Sequence, residues 1–151
     1  MRRLWSRRFG EERGQAQVEF ALSIMVVLLV VFFAWELLMA MYTASVLADA
    51  AKEGVRYAIV HGSNSSLCSG PNPSNPCASD PAAAEVVNVV KTYARASLHD
   101  ISAIDVNVSY PDGSNDPPNR VSVVITYSYV PYIKVPFTPT LRTKAAGRIV
   151  N

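Results

Sequence analysis

The chain has 151 residues, enough for one domain of ordinary size, and hydrophobic residues make up 50% of it. Its net charge of +2 comes from the start: five of the 14 basic and two of the 12 acidic residues fall in positions 1–14, leaving nine and ten for the rest. A near-neutral remainder excludes the broad basic field that a nucleic-acid-binding domain needs.

Positions 1–14 carry Arg2, Arg3, Arg7, Arg8 and Arg13 against Glu11 and Glu12, and no charge follows between Phe20 and Trp35. The run from Phe20 to Met41 suffices for the ~20-residue helix that crosses a hydrocarbon core of roughly 30 Å. A secretory signal places its cleavage site beyond the apolar run. Here the order is inverted: the processing point is Gly14, on the basic and therefore cytoplasmic side. A cut there leaves the apolar helix on the mature protein. Glu19 sits beside this run, where an ionised carboxylate costs roughly 2.5 kcal/mol or more without a partner. Cleavage after Gly14 frees the amine of Gln15, four residues away and on the same helix face. The plainer alternative puts Glu19 at headgroup level, where it favours the helix N-terminus through the macrodipole. Glu36, beside Trp35, reads as an interfacial charge at the outer side.

Glycine followed by four residues and then Glu-Phe at the head of a long apolar helix resembles type IV prepilins. Within that group, the stretch Arg13-Gly14-Gln15-Ala16-Gln17-Val18-Glu19-Phe20-Ala21-Leu22 is similar to the R-G-Q-A-x-V-E-F-A-L signature of the TadE-like proteins of tight-adherence pilus systems. Ala50-Ala51-Lys52-Glu53-Gly54-Val55-Arg56-Tyr57-Ala58 resembles the A-R-E-G-A-R-Y-A segment that those proteins carry after the membrane. The resemblance implies a minor pseudopilin of a tight-adherence (Flp-type, type IV) pilus, cut after Gly14 by a prepilin peptidase. Its partners would be that peptidase, other pseudopilins and pilus assembly proteins, and the lipid bilayer. The resemblance also implies a single pass through the bacterial cytoplasmic membrane, N-terminus inside and C-terminal domain outside. Glu19 would align an incoming subunit through the new Gln15 amine.

Helical character continues from Tyr42 to about His61, for a helix of about 70 Å counted from Gln15. Ala44, Leu47, Ala48, Ala51, Gly54 and Ala58 form a stripe of small and apolar residues that packs on the protein's own domain or on neighbouring helices. Gly62 reads as a left-handed cap that ends the helix. Cys68 and Cys77 enclose a loop rich in Pro, Ser and Asn. In an extracytoplasmic setting they suggest one disulfide, worth about 2 to 3 kcal/mol in the chain-entropy picture. A metal site with His61 or His99 is the competitor, but C-x8-C is not a zinc-knuckle spacing and no acidic cluster accompanies it.

Asp80 and Pro81 read as the cap and first turn of a helix to about His99, with Val86, Val87, Val90, Tyr93, Ala94 and Leu98 on its apolar face. The period then changes to two: Ile104, Val106, Val108 and Tyr110 alternate with polar residues, and Val121, Val123, Ile125, Tyr127 and Tyr129 alternate with mostly polar neighbours. A third strand follows from about Leu141 to Val150, and the proline-punctuated segment between Pro131 and Pro139 cannot be a central strand. Arg142, Lys144 and Arg148 share one face of the last strand, as a solvated, edge-protecting row.

The expected fold class is α+β: a long N-terminal transmembrane helix continuing into a small pilin-like domain with an antiparallel sheet and one packed helix. The expected divisions are a basic leader at 1–14, the transmembrane and extended helix at 15–61, and the outer domain at 62–151. No nucleophile elbow, metalloprotease helix or phosphate loop is present in the sequence, which points to a peptidase substrate rather than an enzyme, with no cofactor and no metal. The alternative function is an uncleaved single-span anchor whose outer domain binds a partner.

Overall fold

Among the described residues, two helices and three strands follow in the order α1 (Trp5–Val60), α2 (Ala84–Arg95), β1 (Ile104–Ser109), β2 (Arg120–Ser128) and β3 (Thr140–Arg148). The computed structural model describes residues 5–73, 80–98, 100–133 and 138–151, with side chains from Gly14 onward. The chain divides into two compact units, Met1–Met39 and Ala40–Asn151.

The first unit, over its described residues, is the N-terminal part of α1. Its apolar side chains lie open, Phe20 at 70% exposure and Leu29 at 62%. Among the described residues of this unit nothing covers them, so the segment suits an apolar solvent or neighbouring helices. By length and composition α1 can cross a membrane, and it is the one helix of that kind among the described residues.

The second unit holds the core. Its strands form one antiparallel sheet in the order β1-β2-β3. The period of two in β2 sends Val121, Val123, Ile125 and Tyr127 to one face, where each is buried. Their partners are Val108, Val106 and Ile104 on β1 and Gly147, Ala145, Thr143 and Leu141 on β3. α2 lays Val86, Val90 and Ala94 on this face, and the later part of α1 adds Leu47, Ala50, Ala51, Val55 and Ala58. Each fully buried Val or Leu contributes about 1.5–3 kcal/mol relative to exposure. The stripe of small residues thus packs on the protein's own domain, with Ala44 left outside it.

Two glycines show how close the layers come. A Cβ on Gly54 would stand 2.4 Å from Cγ2 of Val90, and one on Gly147 would stand 2.5 Å from Cδ1 of Ile59. The first sets the approach of α1 to α2 and the second that of α1 to β3.

Two expected caps differ from the structure. Gly62 is absent from the positive-φ glycines, which are Gly70 and Gly113 among the described residues. Glycine is needed there for space: a Cβ would meet the Asn151 carbonyl oxygen, Ile149 and the Asn115 carbonyl oxygen. α2 begins at Ala84 rather than Pro81 and ends at Arg95; His99 lies outside the described residues. Its N-cap position is Ala83, in the left-handed region at φ 55°, and carries no side-chain cap. Asp80 caps the helix from upstream, accepting from the backbone N–H of Ala84 at 2.7 Å and of Glu85 at 2.9 Å.

Candidate functional site: the head of the long helix

α1 runs through Gly14, Gln15 and Glu19 without interruption. Gln15 Nε2 donates to Glu19 Oε1 at 3.2 Å across one turn, and both residues are exposed. The geometry places position 15 and the carboxylate on one helix face, within hydrogen-bond reach. Gly14 differs from the glycines of the second unit. A Cβ built on it meets nothing within 4 Å among the described residues, and its φ lies outside the left-handed region. A glycine inside a helix costs roughly 0.8–1 kcal/mol relative to alanine, and here neither the backbone conformation nor any contact among the described residues repays that cost.

The second stretch singled out in the sequence, Ala50 to Ala58, sits where α1 meets α2 and the sheet: Ala50, Ala51, Val55 and Ala58 are buried, and Gly54 faces Val90. Lys52, Glu53 and Arg56 turn outward, with Lys52 Nζ 2.9 Å from Asp49 Oδ1 and Arg56 Nη1 3.6 Å from Glu53 Oε1. These pairs are solvated and contribute less than about 1 kcal/mol each.

Residues 14–56 match the TadE-like protein family. The TadE-like segment thus begins at the glycine that packing does not explain and ends in the helix surface that packs on the domain. The match covers 43 of the 151 residues, positions 14 to 56. Residues 57–151 lie beyond the TadE-like match. Neither comparison, with curated proteins or with solved structures, returns a match.

Cys68 is disulfide-bonded, and Cys77 lies outside the described residues. Beside Cys68 stands a polar network that the sequence did not announce, because its members look like ordinary turn residues. Ser69 Oγ donates to Asp80 Oδ2 at 2.6 Å, and Asn115 Nδ2 donates to the Ser69 carbonyl at 3.1 Å. Asn72 Nδ2 reaches Asn115 Oδ1 at 3.1 Å and Asp116 Oδ1 at 2.7 Å. Tyr110 donates its hydroxyl to the Ser69 carbonyl at 3.2 Å. Burial pushes that hydroxyl up to about 12, with the Asp80 carboxylate adding to the shift. Burial also pushes the Asp80 carboxyl up, but hydrogen bonds from Ser69, Glu85 and Ala84 outweigh it and hold it below its ordinary value. The donors and acceptors of this network are occupied by one another, so it ties loops together. Among the described residues no cluster of His, Cys, Asp and Glu has metal-ligating geometry.

Proposed function

We propose that this protein is a minor pseudopilin of a tight-adherence pilus, cut after Gly14 by a prepilin peptidase and retained in the cytoplasmic membrane by the apolar part of α1. The observation that carries the reading is Gly14: a helix-interior glycine with open space around it, four residues before Glu-Phe, at the first position of the TadE-like match. A glycine that no contact among the described residues calls for fits a demand from outside the fold, and a peptidase that accepts only a small side chain before the scissile bond makes such a demand.

On this reading positions 1–14 are a leader whose arginines hold the N-terminus in the cytoplasm, the part of α1 from Gln15 is the anchor and assembly helix, and the region from 62 onward is the outer domain. Cleavage exposes the Gln15 amine one turn from Glu19, where the two charges compensate within one chain or between neighbours. Cyclisation of the new terminal glutamine would remove that positive charge, so the chemical state of Gln15 decides how Glu19 is matched. The outer domain suits a subunit that initiates or supports assembly, and nothing in this role calls for catalysis or a cofactor.

Replacing Gly14 by Leu tests the reading. The account expects normal membrane insertion with loss of peptidase-dependent shortening; unimpaired shortening of the Leu variant would contradict it. Glu19→Gln should leave insertion and cleavage intact and reduce piliation, and full piliation would remove the alignment role.

A further inference from the structure

The sheet has one face under α1 and α2 and one face open. The open face carries the even-numbered residues of β3, so Arg142, Lys144 and Arg148 stand exposed in one row. Their register partners on β2 are Thr126, Val124 and Arg120; the exposed Asp105 of β1 stands on the same face across Thr126 from Arg142, and the Asp112 carboxylate lies near enough to Arg148 to be held down by it in part, so the row of three cations outnumbers the acids beside it. Arg120 is occupied by Asp112 at 2.7 Å, whereas Arg142, Lys144 and Arg148 take part in none of the ion pairs found among the described residues. One charge would suffice to guard a sheet edge. Three cations on one face repel one another and are relieved when an anionic surface docks.

The helical side of the same unit offers such a surface. An open groove of about 350 Å³ runs between α1 and α2, with Glu53, which meets Arg56 of its own helix in a solvated pair at 3.6 Å, on one wall and Glu85, Asn88 and Tyr93 on the other. Tyr93 is 44% exposed there, an aromatic ring available to stack an arginine. Helices and open sheet face lie on opposite sides of the sheet, so the acidic groove and the cationic row point away from each other.

We propose that the cationic β3 row of one copy docks on the acidic α1–α2 groove of a second copy of this chain, head to tail. Unlike surfaces on opposite sides of a unit add copies in a row rather than closing a two-fold dimer. A second copy fits better than a polyanion, because the chain beyond position 14 has nine basic and ten acidic residues and presents no net positive field. The contact uses only residues of Ala40–Asn151. It goes beyond the assembly role proposed above and needs neither the Gly14 cut nor Glu19.

The test is sedimentation equilibrium of the uncleaved full-length protein in density-matched non-ionic micelles, at about 50 mM and about 1 M salt, where the Debye length falls to about 3 Å. The wild type should self-associate, and more weakly at high salt. Arg142→Glu with Lys144→Glu on one side, and Glu53→Lys on the other, should each weaken association about tenfold while the tyrosine near-UV spectrum stays unchanged. Glu53→Lys leaves the first turn of α2 untouched, so loss of a helix charge there does not confuse the result. Mixing the two variants should restore association, because the reversed faces complement each other. Salt-insensitive association unmoved by either reversal, or a mixture no stronger than its components, would overturn the proposal. A monomeric wild type that binds heparin through the row would overturn it too, in favour of a polyanion partner. Because no cleaved protein is used, failure here leaves the processing account standing.

Discussion

Gly54→Ala puts a methyl group where α1 crosses α2. The added Cβ would stand 2.4 Å from Val90 Cγ2, and 3.6 Å and 3.7 Å from Val86 and Val123. Carbon atoms pack at about 3.5–4.0 Å, so the first contact is short by more than about 1 Å. Val90 is fully buried on a helix and, being β-branched, is held to one rotamer; it cannot swing aside. The helices must separate, and overpacking of this kind costs about 1–3 kcal/mol. Alanine returns roughly 0.8–1 kcal/mol of helix propensity. The net expectation is a loss of up to about 2 kcal/mol, and more for Gly54→Val. Thermal unfolding of the full-length protein in detergent, followed by near-UV circular dichroism in a Trp5→Phe, Trp35→Phe background, reads the second unit selectively, since both tryptophans precede Ala40 and all 7 tyrosines lie from Tyr42 onward. A loss of 1 kcal/mol lowers the midpoint by about 4 °C in a domain of this size. Val90→Ala in the Gly54→Ala background should recover part of that loss, so the two changes together cost less than their sum. A Gly54→Ala variant that melts higher than the wild type, with no coupling to Val90, would refute the tight crossing.

Asp80→Ala should destabilise the second unit by about 2–3 kcal/mol, because it removes the α2 cap and leaves the buried Ser69 hydroxyl without its acceptor; an unchanged melting midpoint would contradict this. Hydrogen bonds from Arg120 hold the Asp112 carboxyl down at about 2, so its contribution to stability is present above the ordinary carboxylate range, near pH 4, and is lost as pH falls toward 2. A carbon-13 titration of the Asp112 carboxyl should show this low value in the wild type and a return toward the ordinary value in Arg120→Ala. Gly70→Ala should lower the melting midpoint by several degrees, since Gly70 has a φ of +108° and an added Cβ would press into the Tyr110 ring at 2.4 Å; equal midpoints would show that the loop adjusts without cost.

The strands were legible because Val121, Val123, Ile125 and Tyr127 recur at every second position, between Ser122, Val124 and Thr126, over a span that a helix cannot explain. The anchor was legible from an uncharged run of sufficient length. What escaped the sequence depends on distant contacts. Gly62 looked like a helix cap, yet its need for glycine comes from the backbone of Asn115 and Asn151. Asp80 and Pro81 looked like the start of α2. Because the Asp80 carboxylate serves Ser69 as well as the helix N–H groups, and its carbonyl accepts from Ala83 at 3.3 Å, a turn intervenes and the helix starts later. Asn72 and Asn115 read as turn formers, and only the approach of two loops 43 positions apart shows them as a buried pair. At the head of α1 the order is reversed: the sequence motif is explicit, and the structure adds only that a Cβ on Gly14 meets nothing within 4 Å among the described residues.

Intact mass and N-terminal sequencing of the membrane-extracted protein, produced with and without an active prepilin peptidase, test the central claim most directly. The account predicts a chain beginning at Gln15, free or cyclised, only when the peptidase is active. A chain that still begins near Met1 in the presence of active peptidase would contradict it and leave a permanent single-span anchor.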